Sequence, residues 1–255
     1  METSFGTMLK EWRNRRNISQ FNLGLDANVS ARHLSFLESG RAQPSRSMVL
    51  HLCEALNVPR ETRNSFLNAA GFAPAFRKRA LDEGEMSAVM DAMRWMMERH
   101  NPFPAMAVDI HWHLIELNHC AQLLFSSLGV SKGDSMLDLL LHQNRLEQHL
   151  ENWEEVAQHA ISRLRLESAH LGGDPILDDA ANQISERINI KPVAGNNVLP
   201  PVIPARYKAN GMVFSFFSTI AQFGTAEDIA LADLKIELLF PADDTTREIL
   251  LSMET

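Results

Sequence analysis

The sequence predicts an all-α N-terminal unit followed by an α+β domain, on three observations. From Ser4 to Ala70 apolar residues recur at three- and four-residue steps, interrupted by short turns. Beyond residue 190 the pattern changes to period two. Charge divides the chain in the same sense. Residues 1–81 carry 12 Lys and Arg against 6 Asp and Glu, whereas residues 82–255 carry 12 against 26. A basic module suits a polyanionic partner, and an acidic body is repelled by one.

The chain has 255 residues, enough for one small and one larger domain, placed here at 1–74 and 85–255 with a linker over 75–84. Apolar residues make up 45% and charged residues 22%, so both domains can bury cores and intrinsic disorder is excluded. No run approaches the roughly 18 apolar residues of a membrane span. Lys10, Arg13, Arg15 and Arg16 are followed by no apolar signal region, so a cytoplasmic protein without a membrane partner is expected. Cys53 and Cys120 imply no disulfide framework and read as buried free thiols.

Phe5, Met8, Leu9 and Trp12 lie on one face of a first helix that Asn17 ends. Ser19 caps a second, in which Leu23 and Leu25 are expected to face inward and Gly24 to permit a close helix crossing. The turn Asp26-Ala27-Asn28 places Asn28 where a left-handed residue is needed. Ser30 caps a third helix that stops at Gly40, with Leu34 and Leu37 for the core and Ala31, Arg32, Ser35 and Phe36 outward. Two core-facing helices joined by a three-residue turn, the second with donors at its start, form a helix-turn-helix suited to a major groove. Arg32 suits a guanine edge, Gln20 and the helix N-termini suit phosphates, and Arg41 adds a charge contact. Two further helices follow, over 45–56 and 59–70, stopped by Gly71 and Pro74.

The segment ISQFNLGLDANVSARHLSFLESGRAQPS resembles the helix-turn-helix of the XRE family of bacterial and phage regulators, matching at Gln20, Gly24, Val29, Ser30, Leu34, Glu38, Gly40 and Arg41. The resemblance implies that Gln20 and Ser30 contact phosphate and that Ala31, Arg32 and Phe36 face bases. It also implies that Arg13 pairs with Glu38 between helices.

After the basic cluster Arg77-Lys78-Arg79, a helix is expected over 85–100, then two short pairing strands over 105–109 and 112–117. Asn118 caps a helix through Phe125, and the segment 134–189 reads as helical, most clearly over 152–171. Late strands place Met212, Phe214 and Phe216 on one face, and Ile236, Leu238 and Phe240 alternate with Lys235 and Glu237. This order suggests helices on one face of a sheet cupped around a pocket.

The segments GFAPAF, DIHWHLIELNHCAQLLF, NWEEVA and FSFFSTIAQFGTAEDIALADLKIELLFPAD resemble the MmyB-like regulators, in which an XRE-type helix-turn-helix precedes a PAS-like ligand-binding domain. The resemblance implies a pocket for a small apolar effector, with a fatty acid or another lipophile as the class. Met106, Trp112, Phe125, Trp153, Phe214, Phe216 and Phe217 are the candidate wall. Arg206, Tyr207 or His113 is the candidate polar anchor.

The expected mechanism is a one-component switch in which a homodimer sets two recognition helices on an inverted-repeat duplex. The main alternative is a DNA-binding regulator whose C-terminal domain serves only dimerisation or protein interaction. A metal sensor is a lesser one, because His111, His113, His119 and Cys120 cluster without a second group of ligands. No phosphate loop, nucleophile elbow or metalloprotease helix is present, so no enzymatic activity and no certain cofactor are expected.

Overall fold

Hydroxyl groups start four of the N-terminal helices, as helix ends with orphan N–H groups require, by accepting from the third backbone N–H. Ser4, Ser19, Ser30 and Ser45 accept from Thr7, Asn22, His33 and Met48 respectively. The helices in this computed structural model, which describes residues 4–82, 84–188, 202–209, 211–224 and 226–252, are α1 (Phe5–Arg15), α2 (Gln20–Asp26), α3 (Ala31–Glu38), α4 (Arg46–Ala55) and α5 (Arg60–Ala69). Leu9, Leu23, Leu34, Leu37, Leu52 and Phe66 meet in one core, with Phe5 edge-on to Phe66 at 5.9 Å between ring centroids.

Asn28 takes the expected left-handed turn with φ 49°. Leu25 departs from expectation: it is 66% exposed beside Phe21 at 64%. Leu23 claims the inward direction, and a residue two positions on is turned about 200° around the helix. Gly24 is required where α2 meets the turn. A Cβ there would stand 2.5 Å from the Val29 carbonyl oxygen, a backbone atom that cannot rotate aside. Gly24→Ala is expected to lower the stability of the N-terminal unit by about 1–3 kcal/mol. An unchanged urea midpoint for that unit would contradict this.

Cys53 is 1% exposed, and burial pushes its thiol up to about 12 despite the opposing charge of Arg63. Cys120 is only half-buried, which corrects the expectation of two buried thiols.

The chain divides into two compact units, one of Met1–Lys78 with Glu167–Asp174 and Glu227–Ile229, the other of Arg79–Leu166, Pro175–Ala226 and Ala230–Thr255. In the second part of the chain a 3-10 turn (Gly84–Met86) leads to α6 (Ser87–Arg99), β1 (Ala105–Val108), β2 (Leu114–Leu117), α7 (His119–Ser126), α8 (Met136–Leu141) and α9 (Gln143–His149). Then come α10 (Trp153–Leu171), α11 (Pro175–Arg187), β3 (Ala205–Ala209), β4 (Met212–Ala221), α12 (Ile229–Ala232), β5 (Lys235–Pro241) and α13 (Asp244–Ser252). Among the described residues no helix is long and apolar enough to cross a membrane.

The strands form one antiparallel sheet in the order β2-β1-β5-β4-β3, so the first and last parts of the domain meet at its centre. Asn118 caps α7 through Ala121 N–H and also accepts from Ala105 N–H, while its amide donates toward Met97 and Phe103 carbonyls. One buried side chain thereby ties α6, β1 and α7 together.

The sheet is covered on both faces, which corrects the expectation of helices on one face. Ala105 and Ala107 of β1 pack with Met90, Met93 and Met97 of α6. Met106, between them, faces the opposite way, toward α10. A strand buried on both faces needs apolar residues at every position, and Ala105–Val108 supplies them. On β5 the same demand buries Glu237, which the alternating reading had put on a polar face.

Candidate functional site

In the N-terminal unit α3 is fixed from within and offers its other side outward. Arg13 is clamped to Glu38 by Nε at 2.6 Å and Nη2 at 3.0 Å, and its Nη1 donates to the Ile18 carbonyl at 2.8 Å. The two side chains are 11% and 4% exposed. The hydrogen bond to Glu38 holds the Arg13 guanidinium above its ordinary value, against desolvation. This is the pairing the resemblance implied.

On the outward side Arg32 and Ser35 are exposed, Ala31 and Phe36 are half-buried, and the Arg32 guanidinium lies 5.4 Å from the centroid of the Phe36 ring. Among the described residues Arg32 and Arg41 form no ion pair. The two side chains expected at phosphates also have partners within the unit. The Gln20 amide donates to Glu38 at 2.8 Å, and the Ser30 hydroxyl accepts from His33 N–H. These contacts orient both side chains at the starts of α2 and α3, where helix N-termini suit an anion.

In the C-terminal domain a cavity of about 430 Å³ lies between the sheet and α10. Met106, Trp112, Met136, Leu140, Val156, Ala160, Phe216, Phe217 and Leu239 supply an apolar wall. At its polar end Arg163 Nη2 stands 2.5 Å from Glu237 Oε1, with side chains 16% and 7% exposed. The same guanidinium lies 4.3 Å from the Trp112 ring centroid. Tyr207, His159 and Ser218 complete this end. Burial pushes the Tyr207 phenol up to about 12, and the negative charge of Glu237 adds to the shift.

Trp112 holds its ring there with φ 62°, a left-handed backbone that bulky residues rarely adopt. Its turn is organised by Asp109, whose carboxylate accepts from the backbone N–H groups of His111 and His113. Such strain costs on the order of 1–3 kcal/mol and concentrates at binding sites.

Of the expected pocket residues, the structure brings Met106, Trp112, Tyr207, Phe216 and Phe217 to this cavity. Phe214 instead lines a neighbouring cavity of about 460 Å³ with Cys120, His149 and Lys208, to which Phe216 also contributes. Phe125 is fully buried and Trp153 is 5% exposed, and neither lines the 430 Å³ cavity. Arg206 pairs with Glu151 at 2.9 Å, outside it. His113 lies beside a third cavity and pairs with Asp109 at 3.1 Å. Among the described residues no three His, Cys, Asp or Glu side chains are grouped to hold a metal.

The residues that sequence reasoning missed are Arg163 and Glu237. Arg163 falls three positions after Ala160 and seven after Val156, inside the apolar stripe of α10. A charge in such a stripe is the signal that marked it.

Comparison with known families agrees with this division. Residues 4–66 match a helix-turn-helix domain, and residues 89–252 match the MmyB-like transcription regulator ligand binding domain. No curated protein is similar enough to the chain to count as a match. The cavity with the buried ion pair therefore lies within a domain that binds ligands, and α3 within one that binds DNA. The chain belongs to the MmyB-like family: it is a DNA-binding transcription regulator with a helix-turn-helix domain and a ligand-binding domain.

Proposed function

We propose that the protein is a one-component regulator, cytoplasmic and without enzymatic activity, that binds an inverted-repeat operator as a homodimer and answers to an apolar effector held in the 430 Å³ cavity. The observation that carries the reading is α3. The ion pair of Arg13 with Glu38, joined by Gln20, fixes this helix from its inner side, and Arg32 is left exposed at its start. A preorganised helix with a supported guanidinium suits bidentate donation to a guanine. Ala31, Ser35 and Phe36 complete the base-facing side, while Arg41 and the N-termini at Gln20 and Ser30 position the backbone. The cavity's apolar wall suits an acyl chain, whether of a fatty acid or of another small lipophile.

Arg32→Ala is expected to cost about 1–3 kcal/mol at one base position of the operator and to relax selection there. Arg41→Ala should instead weaken operator and random duplex alike and reduce the salt slope by about one. Titration of both variants on both duplexes across salt checks this. Equal losses on operator and random DNA for the two variants would contradict the division of roles.

A further inference from the structure

Among the described residues the polar end of the cavity is built on an ion pair of one cation and one anion. Arg163 of α10 and Glu237 of β5 face each other at 2.5 Å, and Glu237 is 5% exposed as a residue. The other titratable lining groups among the described residues are Tyr207 of β3, a neutral phenol, and His159 of α10, whose exposure leaves it solvated while it borders the cavity. Strand β1, alongside β5, places Met106 opposite Glu237, and β4, on its other side, places Ile220 there, so neither neighbour adds a charge.

A carboxylate arriving here would share one guanidinium with Glu237. Two carboxylates around one buried cation cannot both stay ionised cheaply, so either one takes a proton or Glu237 is driven against Met106 and Leu239. An ammonium head group would meet Arg163 in the same way. A neutral head group avoids both costs: it can donate to the Glu237 carboxylate, which offers about four lone-pair positions, and accept from the Tyr207 or Ser218 hydroxyl. The strained Trp112 turn, which braces the guanidinium, shows a site built to keep the ion pair in place.

We propose that this cavity selects an uncharged amphiphile, an apolar chain ending in an amide or hydroxyl, over a carboxylate of the same length. The proposal rests on the cavity being the effector site and specifies the chemistry that site takes.

Calorimetric titration of the full chain with octanamide, 1-octanol and octanoate at neutral pH tests it, with Ala160→Phe as a variant that fills the cavity. The expected result is that octanamide and 1-octanol bind at least about tenfold tighter than octanoate, because the acid alone carries the second buried charge. Glu237→Gln leaves Arg163 charged and removes the competing carboxylate, so octanoate should gain about tenfold and lose its disadvantage. Octanoate binding the unaltered protein as tightly as octanamide overturns the proposal and leaves the cavity as the effector site. Binding by no probe, or binding that survives Ala160→Phe, overturns the effector site and the proposal together. Should Glu237→Gln fail to fold, the order of the three probes on the unaltered protein still decides.

Discussion

Arg163→Ala is expected to destabilise the C-terminal domain by about 3–5 kcal/mol, the usual cost of stranding one member of a buried ion pair. Glu237, 5% exposed with its partner in place, would keep its carboxylate beside the apolar Met106 and Leu239 with no cation to offset it. Glu237→Ala should cost a similar amount for the converse reason. The double replacement Arg163→Met with Glu237→Leu is expected to recover most of the loss, because it removes both charges from the interior. Denaturant midpoints of the three variants form a double-mutant cycle. A loss under about 1 kcal/mol for either single variant would show that the pair is solvated and would remove its role in the cavity.

Arg13→Ala should have an effect of comparable size on the helix-turn-helix unit, about 3–5 kcal/mol. Glu38, with a side chain 4% exposed, takes both Arg13 hydrogen bonds and one from Gln20, so alanine would leave a buried carboxylate with a single neutral donor. Arg13→Lys is expected to rescue little, since an ammonium cannot reproduce the two-pronged contact. DNA affinity would then fall because folded protein becomes scarce. At a temperature where the variant is still folded, operator selectivity should match that of the unaltered protein. Selectivity altered at full folding would place Arg13 in the interface instead.

The N-terminal unit was legible nearly to the residue because its signals are local. A serine before each of four helices, an asparagine at the turn and Gly24 at the crossing act within a few residues of themselves, and the structure shows each acting so. Leu25 was misplaced because its apolar character was weighed above its position: helical spacing alone sets it about 200° from the buried Leu23. Gly6 was overlooked although its role is the same as that of Gly24: a Cβ there would stand 2.5 Å from the Leu37 carbonyl oxygen, which lies distant in sequence.

The C-terminal domain was legible in class more than in detail. Strand β3 went unread although its signals are present: Ala205, Tyr207 and Ala209 alternate with Arg206 and Lys208, Asn210-Gly211 beside it is a strong hairpin signal, and Ala209 does pair with Met212. The aromatic residues of β4 were legible as apolar, but period two groups Phe216 with Phe214, and the structure brings Phe216 and Phe217 to the cavity instead. Arg163 and Glu237 are far apart in sequence, so although Arg163 stands out in an apolar stripe, neither charge points to the other as its partner. Only the pairing of β5 against β1 and β4, with α10 across the face, makes them partners.

Occupancy of the cavity is expected to control DNA binding, and operator affinity measured with and without a bound probe reads that coupling. A duplex selected from a random pool by the full chain would be titrated by fluorescence anisotropy, alone and with saturating octanamide. The expected result is a change of at least about fivefold, the lower end of ordinary coupling between sites. The change should vanish in Ala160→Phe while that variant binds the duplex normally. An operator affinity that stays the same when calorimetry shows the cavity filled would contradict the account.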